Sequence, residues 1–423
     1  MSSFFRTPRQ IARYLASLPF SLHQHLHGES LEINPVDVAA LEVLRLMEPA
    51  VFERMATRSV VFEESFLGLP PHGPDDESRE EKLLDWVVSV ATESRKDAVR
   101  NLILGLVPQL NRGRNISDAV RDDWDRTKRV CHGNHYDRYF QLVLPAGYVT
   151  TSEIDQLRDA AAKGREAIYK ELCAFEGQGR LRNVLSRSHV ILHDLADPAR
   201  ENVFYALCVL GDRLPELRGY GEDDDFKWTA GNVAIRLLWD ISPELRASWI
   251  EKALKSEAGL DFPVTFAQRL NRKTESGTVT LQVAPTAAVQ IARSAMERIQ
   301  QAAKDGSLWQ SPWLGWHLNF WAEQQGLAAA QEWLAGEVKS SEKALLLVKN
   351  LVSVATSNRG YYPRLSAAKL DSYMSLEALL ALLPPPRPES PRERDAVIML
   401  EKAVGLKSAG ALPGEVKLND SGF

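Results

Sequence analysis

The chain has 423 residues, 44% of them apolar and 25% charged, with 51 basic and 56 acidic side chains for a net charge of −5. That balance predicts a soluble globular chain with a sizeable core. It excludes a wholly disordered chain or a fibre, and it gives no global signal for nucleic acid or an acidic membrane. At roughly 150 residues per domain, the length predicts about two to three domains.

Taken in order, the pattern is helical. Thr7-Pro8 opens a short helix through Ile11, Tyr14, Leu15 and Leu18, with Thr7 placed to cap it and Pro8 at its first position. Arg6, Arg9 and Arg13, with serines and no acid in residues 1–20, give it a basic face; transit peptides share this composition, but an ordinary basic helix is the expectation. Asn34-Pro35 starts a second helix with the stripe Val36, Ala40, Leu41, Leu44 and Met47, broken at Glu48-Pro49. A helix through Val51, Phe52 and Met55 follows, then a Pro-, Gly- and acid-rich loop over 68–78 and helices over about 79–93 and 95–107. Tyr139–Leu144 predicts a short strand or extended segment, and Thr151 or Ser152 with Glu153 another helix start. Helices are expected over about 165–176, 180–194, 199–213, 229–239 and 243–257, a strand at Gly277–Val283, and helices again over 287–383 apart from loops near 305–311 and 357–363. Pro384–Pro391 reads as a stiff spacer before a last helix at 392–404 and a loose tail. The expected class is therefore mainly α: an irregular multi-helix array in two bodies joined near 195–230, with a few short strands. Its expected segments are 1–67, 68–220, a Trp-rich 221–383 and 384–423.

Chemistry-bearing motifs are sparse. The chain contains no Gly-Lys, hence no GxxxxGK[ST] phosphate loop, and no GxSxG, HExxH or GxGxxG. Cys131, Cys173 and Cys208 stand apart and cannot all pair within one chain, which predicts a reducing, cytoplasmic setting. Apolar runs such as Ala378–Leu383 fall short of the ~20 residues of a membrane span. His23, His25 and His27 alternate but lack companions for a metal, apart from Glu29. Cys131, His132 and His135 offer a thiol and imidazoles without an evident orienting group. Pro74-Asp75 with Glu80-Glu81-Lys82 has the residue types of a metal-dependent nuclease site, but with the acid in a loop and ExK opening a helix a solvated helix start is the expectation, and Glu222–Asp225 reads as a solvated acidic loop. Trp309, Trp313, Trp316 and Phe320 repeat at helical spacing, which suits a core seam or a protein-binding face. Arg9 and Arg13, four apart, suit a phosphate or a solvated face.

Three strings carry a resemblance together: TPRQIARYLASL at 7–18, NPVDVAALEVLRLMEPAVFERM at 34–55 and HYDRYFQLVLP at 135–145. With LGWHLNFWAEQQGLAAAQEWL at 314–334, their order resembles the C-terminal helical part of the bacterial KAP-family P-loop NTPases. The resemblance covers the non-catalytic half alone. IRLLWD at 235–240 lies on the wrong side of it to be an acidic magnesium-binding strand, and reads as helix. The resemblance implies a half encoded separately or a piece of a longer chain. It implies that Arg9 and Arg13 sense a nucleotide's phosphates in trans, and that ATP and magnesium enter only through a missing or partner NTPase core, with no cofactor held by this chain alone. It also implies a protein partner, in the form of a P-loop ATPase, and a setting such as defence against phage. The expected function is thus a non-catalytic sensor and interaction half. The alternatives are a stand-alone helical scaffold that binds protein through Trp309, Trp313 and Trp316, and a metal-dependent hydrolase.

Overall fold

The computed structural model describes residues 3–57, 77–112, 116–141, 147–214, 226–256, 258–272, 281–357, 360–383, 390–412 and 414–418. The architecture is mainly α with a few short antiparallel strands, as the sequence predicts. Two compact units divide the chain, one formed by Met1–Asp159 with Ser186–Leu195, the other by Ala160–Leu185 with Ala196–Phe423. The segment boundaries expected at 67/68 and 220/221 lie outside the described residues.

In the first unit, α1 (Pro8–His23) begins where Thr7 Oγ1 accepts from Gln10 N and Gln10 Oε1 accepts from Thr7 N, a reciprocal cap with Pro8 in the first turn. It runs past Pro19 to a hairpin of β1 (Leu26–His27) and β2 (Ser30–Leu31), which turns at Gly28, where φ is +61°. Asn34 caps α2 (Pro35–Met47), its Oδ1 accepting from Val36 N at 2.9 Å. After α3 (Pro49–Ala56) come α4 (Glu77–Val88), α5 (Lys96–Leu106), α6 (Gln109–Arg112), α7 (Asp118–Arg126) and α8 (Gly133–Tyr136). The inward faces of these elements form one core, with Leu41, Leu44, Val51, Met55, Val99 and Ile103 buried in it.

Two expectations need correction here. Asp137–Tyr139 forms a 3-10 turn continuing α8 rather than the start of a strand, and 142–146 lie outside the described residues. Tertiary demand decides this: Tyr136 Oη donates to Met55 O at 2.7 Å and Tyr139 Oη to Lys128 O at 2.6 Å, which requires both rings to face inward. The next helix, α9 (Thr151–Lys163), is capped one residue earlier than expected. Thr150 Oγ1 accepts from Glu153 N, and Glu153 Oε2 accepts from Thr150 N.

The chain continues through α10 (Arg165–Gly177), α11 (Leu181–Ser186) and α12 (Ser188–Leu192), the last two replacing one expected helix over 180–194. In the second unit α10 packs on α13 (Asp197–Arg213), followed by α14 (Phe226–Trp239), α15 (Pro243–Lys255), α16 (Asp261–Arg269) and α17 (Pro285–Asp305). Their core is aromatic: Phe204 lies 5.8 Å from both Trp249 and Phe266, ring centre to ring centre. Gly211 makes room for Phe262, whose ring atoms would stand 2.6 Å from any Cβ at that position. IRLLWD is helical in α14. Within the expected strand Gly277–Val283, residues 277–280 lie outside the described residues, and Leu281 forms a single parallel bridge to Leu270.

Beyond α18 (Leu314–Gln325), α19 (Leu327–Glu337) and α20 (Ser341–Asn350), a hairpin of β3 (Val352–Ser357) and β4 (Gly360–Leu365) replaces the expected helix-and-loop stretch. After α21 (Ala367–Tyr373), α22 (Leu376–Ala381) and α23 (Pro391–Ser408), the short β5 (Val416–Lys417) completes an antiparallel sheet ordered β3-β4-β5. The expected spacer falls on residues 384–389, outside the described residues. No helix among the described residues is long and apolar enough to cross a membrane.

Candidate functional site

Three places hold the side chains that carry chemistry, and each forms within one unit. The first is the outer face of α1. Tyr14 turns inward, its Oη donating to Ala39 O at 3.2 Å, which fixes the helix's rotation on α2. The opposite side therefore presents Arg9, Arg13 and Phe20 in one row, with Phe20 64% exposed; Leu15, 59% exposed, lies well around the helix from that row. The three strings of the resemblance meet in this unit. Tyr14 reaches Ala39 of the second string, and Asn34 N of the second donates to Tyr139 Oη of the third at 2.8 Å.

The second place is buried under α7 and α8. Asp125 on α7 carries a carboxylate with no solvent exposure. His135 Nε2, on α8, lies 2.6 Å from Asp125 Oδ1, and Tyr148 Oη lies 3.2 Å from the ring's other nitrogen. Tyr148 Oη also reaches Glu32 Oε2 at 3.4 Å, a buried carboxylate that accepts from Thr151 N and Oγ1. His132 Nδ1 stands 3.7 Å from Asp125 Oδ1, and His189 Nε2, from α12, stands 3.0 Å from Asp125 Oδ2. Neither nitrogen is aligned for a hydrogen bond. Arg187 Nε stands 3.4 Å from Oδ1, and Asn134 Nδ2 donates to Oδ2 at 3.1 Å.

Burial alone would push the Asp125 carboxyl up, but His135, His189 and the Arg187 guanidinium hold it well below the usual carboxylate range. Burial holds His132 down to about 4 and lowers His135, so both imidazoles are uncharged at neutral pH. Cys131 does not join them. It is buried, and burial pushes its thiol up to about 12, so it is an inert thiol rather than a nucleophile. Sequence reasoning found His132 and His135 but missed Asp125, His189 and Arg187, the last two brought in from far along the chain.

The third place lies in the second unit. Lys227, fully buried, pairs with Asp261, whose Oδ1 also receives Ser311 Oγ and lies 2.7 Å from His317 Nε2. The His317 and Lys227 contacts outweigh burial and hold Asp261 down to about 2. Ser311 donates to the carboxylate rather than to His317, so this set lacks the nucleophile–base contact of a hydrolase. Lys227 Nζ lies 5.0 Å from the centre of the Trp313 ring.

The tryptophans do not form one helical stripe. Trp309 sits in a 3-10 turn, Ser307–Gln310, and Trp313 precedes α18. Trp309 is buried, stacked on Trp333 at 5.2 Å; Trp313 is half-buried; Trp316 is 55% exposed.

Of the remaining sequence candidates, His23 ends α1, His25 is buried in the following turn and His27 lies on β1, so the three share no single strand. Asp75 and Glu222–Asp225 lie outside the described residues, and Glu81 and Lys82 are on α4. Comparison with protein-family models, curated proteins and solved structures returns no significant match.

Proposed function

We propose that the chain is the non-catalytic sensor and interaction half of a KAP-type P-loop NTPase assembly. In this reading it docks through α1 on a partner ATPase and couples the partner's ATP state to target binding. The observation that carries this reading is the outer row of α1. Two guanidinium groups four residues apart, Arg9 and Arg13, stand exposed in one row with the apolar side chain of Phe20. Apolar contact would seat the helix, and the paired cations suit phosphate oxygens on the facing subunit. The absence of Gly-Lys from the chain supports a role in trans, and the meeting of the three resembling strings supports treating them as one structural module.

A photo-crosslinking residue in place of Phe20, introduced in the native host, tests it. The expected adduct is a P-loop ATPase, formed in ATP-replete cells and lost with Arg9→Glu and Arg13→Glu. Adducts without any such ATPase would sink the reading.

A second reading, a stand-alone protein-binding scaffold, is favoured by the 55% exposure of Trp316. It predicts that a crosslinker at Trp316, and not at Phe20, traps one specific protein.

A further inference from the structure

We propose that Asp125, His132 and His135 form a site for a divalent cation of the zinc class, held by two imidazole nitrogens and one carboxylate oxygen, with His189, on the other oxygen of the same carboxylate, closing on the ion as a fourth ligand. Among the described residues, the ligand atoms of Asp125, His132 and His135 lie within 4.8 Å of one another, and His189 Nε2 is 3.0 Å from the same carboxylate. A tetrahedral ion with bonds of about 2.0–2.1 Å separates its ligand atoms by about 3.4 Å. His135 Nε2 and His132 Nδ1 stand 2.6 and 3.7 Å from Asp125 Oδ1, on either side of that spacing, and His189 Nε2 stands 3.0 Å from the other oxygen, Oδ2.

A hydrogen-bonded network alone accounts poorly for this arrangement. It leaves His132 Nδ1 and His189 Nε2, both shielded from solvent, facing a carboxylate without an aligned hydrogen bond. A cation held by Asp125, His132 and His135 satisfies the His132 nitrogen, and His189 closing on it satisfies the other.

The surroundings fit the same chemistry. When Nε2 of His135 holds the ion, the ring's proton resides on Nδ1 and is donated to Tyr148 Oη, which in turn donates to Glu32; His189 Nδ1 faces Asp122 Oδ1 at 3.8 Å. Carboxylates behind ligating imidazoles are the usual supporting arrangement. Arg187 is the opposing charge, 3.4 Å from Asp125 Oδ1, and its Nη1 is taken up by Val149 O. His132 and His189 form the rim, 18% and 16% exposed, and give the ion its way in. With His189 closing as the fourth protein ligand no position is left open, and the site's role is then to tie α7, α8 and α12 together rather than to activate water.

The test uses the purified full chain, stripped with a chelator and titrated with Zn²⁺ alone, with Co²⁺ as a spectroscopic probe. The expected results are one equivalent bound, the intense visible bands of tetrahedral Co²⁺, and no uptake of Mg²⁺ or Ca²⁺. His132→Ala and His189→Ala, at the rim, are each expected to weaken Zn²⁺ binding by more than the 10–100-fold, roughly, that loss of a supporting partner costs, with an unchanged circular dichroism spectrum. Uptake well below one equivalent by the folded wild-type chain overturns the proposal and leaves a hydrogen-bonded network. So does stoichiometric uptake that neither substitution weakens.

Discussion

At the scale of single residues, Lys227 and His25 show what burial demands of a charge. Lys227 keeps its ammonium without solvent because Asp261 and the face of Trp313 replace its hydration. Lys227→Met strands the Asp261 carboxylate and is expected to cost about 3–5 kcal/mol in urea unfolding, with Asp261→Asn added on top recovering part of the loss. His25 pays the opposite way: burial, aided by the neighbouring Arg138 charge, holds its imidazole down to about 4. In the unfolded chain a histidine takes up a proton near pH 6.5, so between about 6.5 and 4 the unfolded state binds the extra proton. Stability contributed by neutral His25 is therefore full above that window and falls as the pH drops through it, by up to about 3 kcal/mol. Denaturant midpoints recorded from pH 7 to pH 4 should fall less steeply in His25→Gln. Neither consequence is legible in sequence, where Lys227 reads as an ordinary surface cation and His25 as one of three alternating histidines.

At the scale of elements, the helix starts are the most legible feature. Thr7 and Asn34 cap as expected, because a side-chain oxygen two or three residues ahead of a free N–H is a local matter. What α2 then does is not local. Asp37, which reads as a favourable charge in its first turn, is buried and accepts from Arg129 Nε at 2.8 Å and Val130 N at 2.8 Å, far along the chain. Asp37→Ala leaves both donors without their acceptor and is expected to cost about 3 kcal/mol, read from the denaturation midpoint. Helix packing in the second unit gives a sharper case. A methyl group at Gly211 meets the Phe262 ring at 2.6 Å, so Gly211→Ala, a favourable change by helix propensity, should instead destabilise by about 1–3 kcal/mol. Phe262→Leu in the same chain is expected to relieve part of that loss.

At the scale of the whole molecule, the prediction concerns ATP. With no Gly-Lys in its sequence, the purified chain is expected to show no ATP turnover above that of a heat-treated control, and turnover that follows the chain through successive columns would contradict the proposed role. The helical class was open to a reader of the sequence alone, because amphipathic period and capping residues are written in neighbouring positions. So were the exposed cations of α1, whose i and i+4 spacing is fixed once the helix is. The β3–β4 hairpin escaped, since its strands gain their stability from each other and from β5 rather than from their own pattern. The Asp125 cluster escaped for a related reason: α7, α8 and α12 reach one carboxylate from separate stretches of chain, and only the closing of those stretches around a shared interior makes three histidines neighbours. Sequence determined where helices begin and which faces are apolar, through interactions that span a turn or less. Tertiary structure decided which polar groups lose their water, and therefore which of them must find a partner.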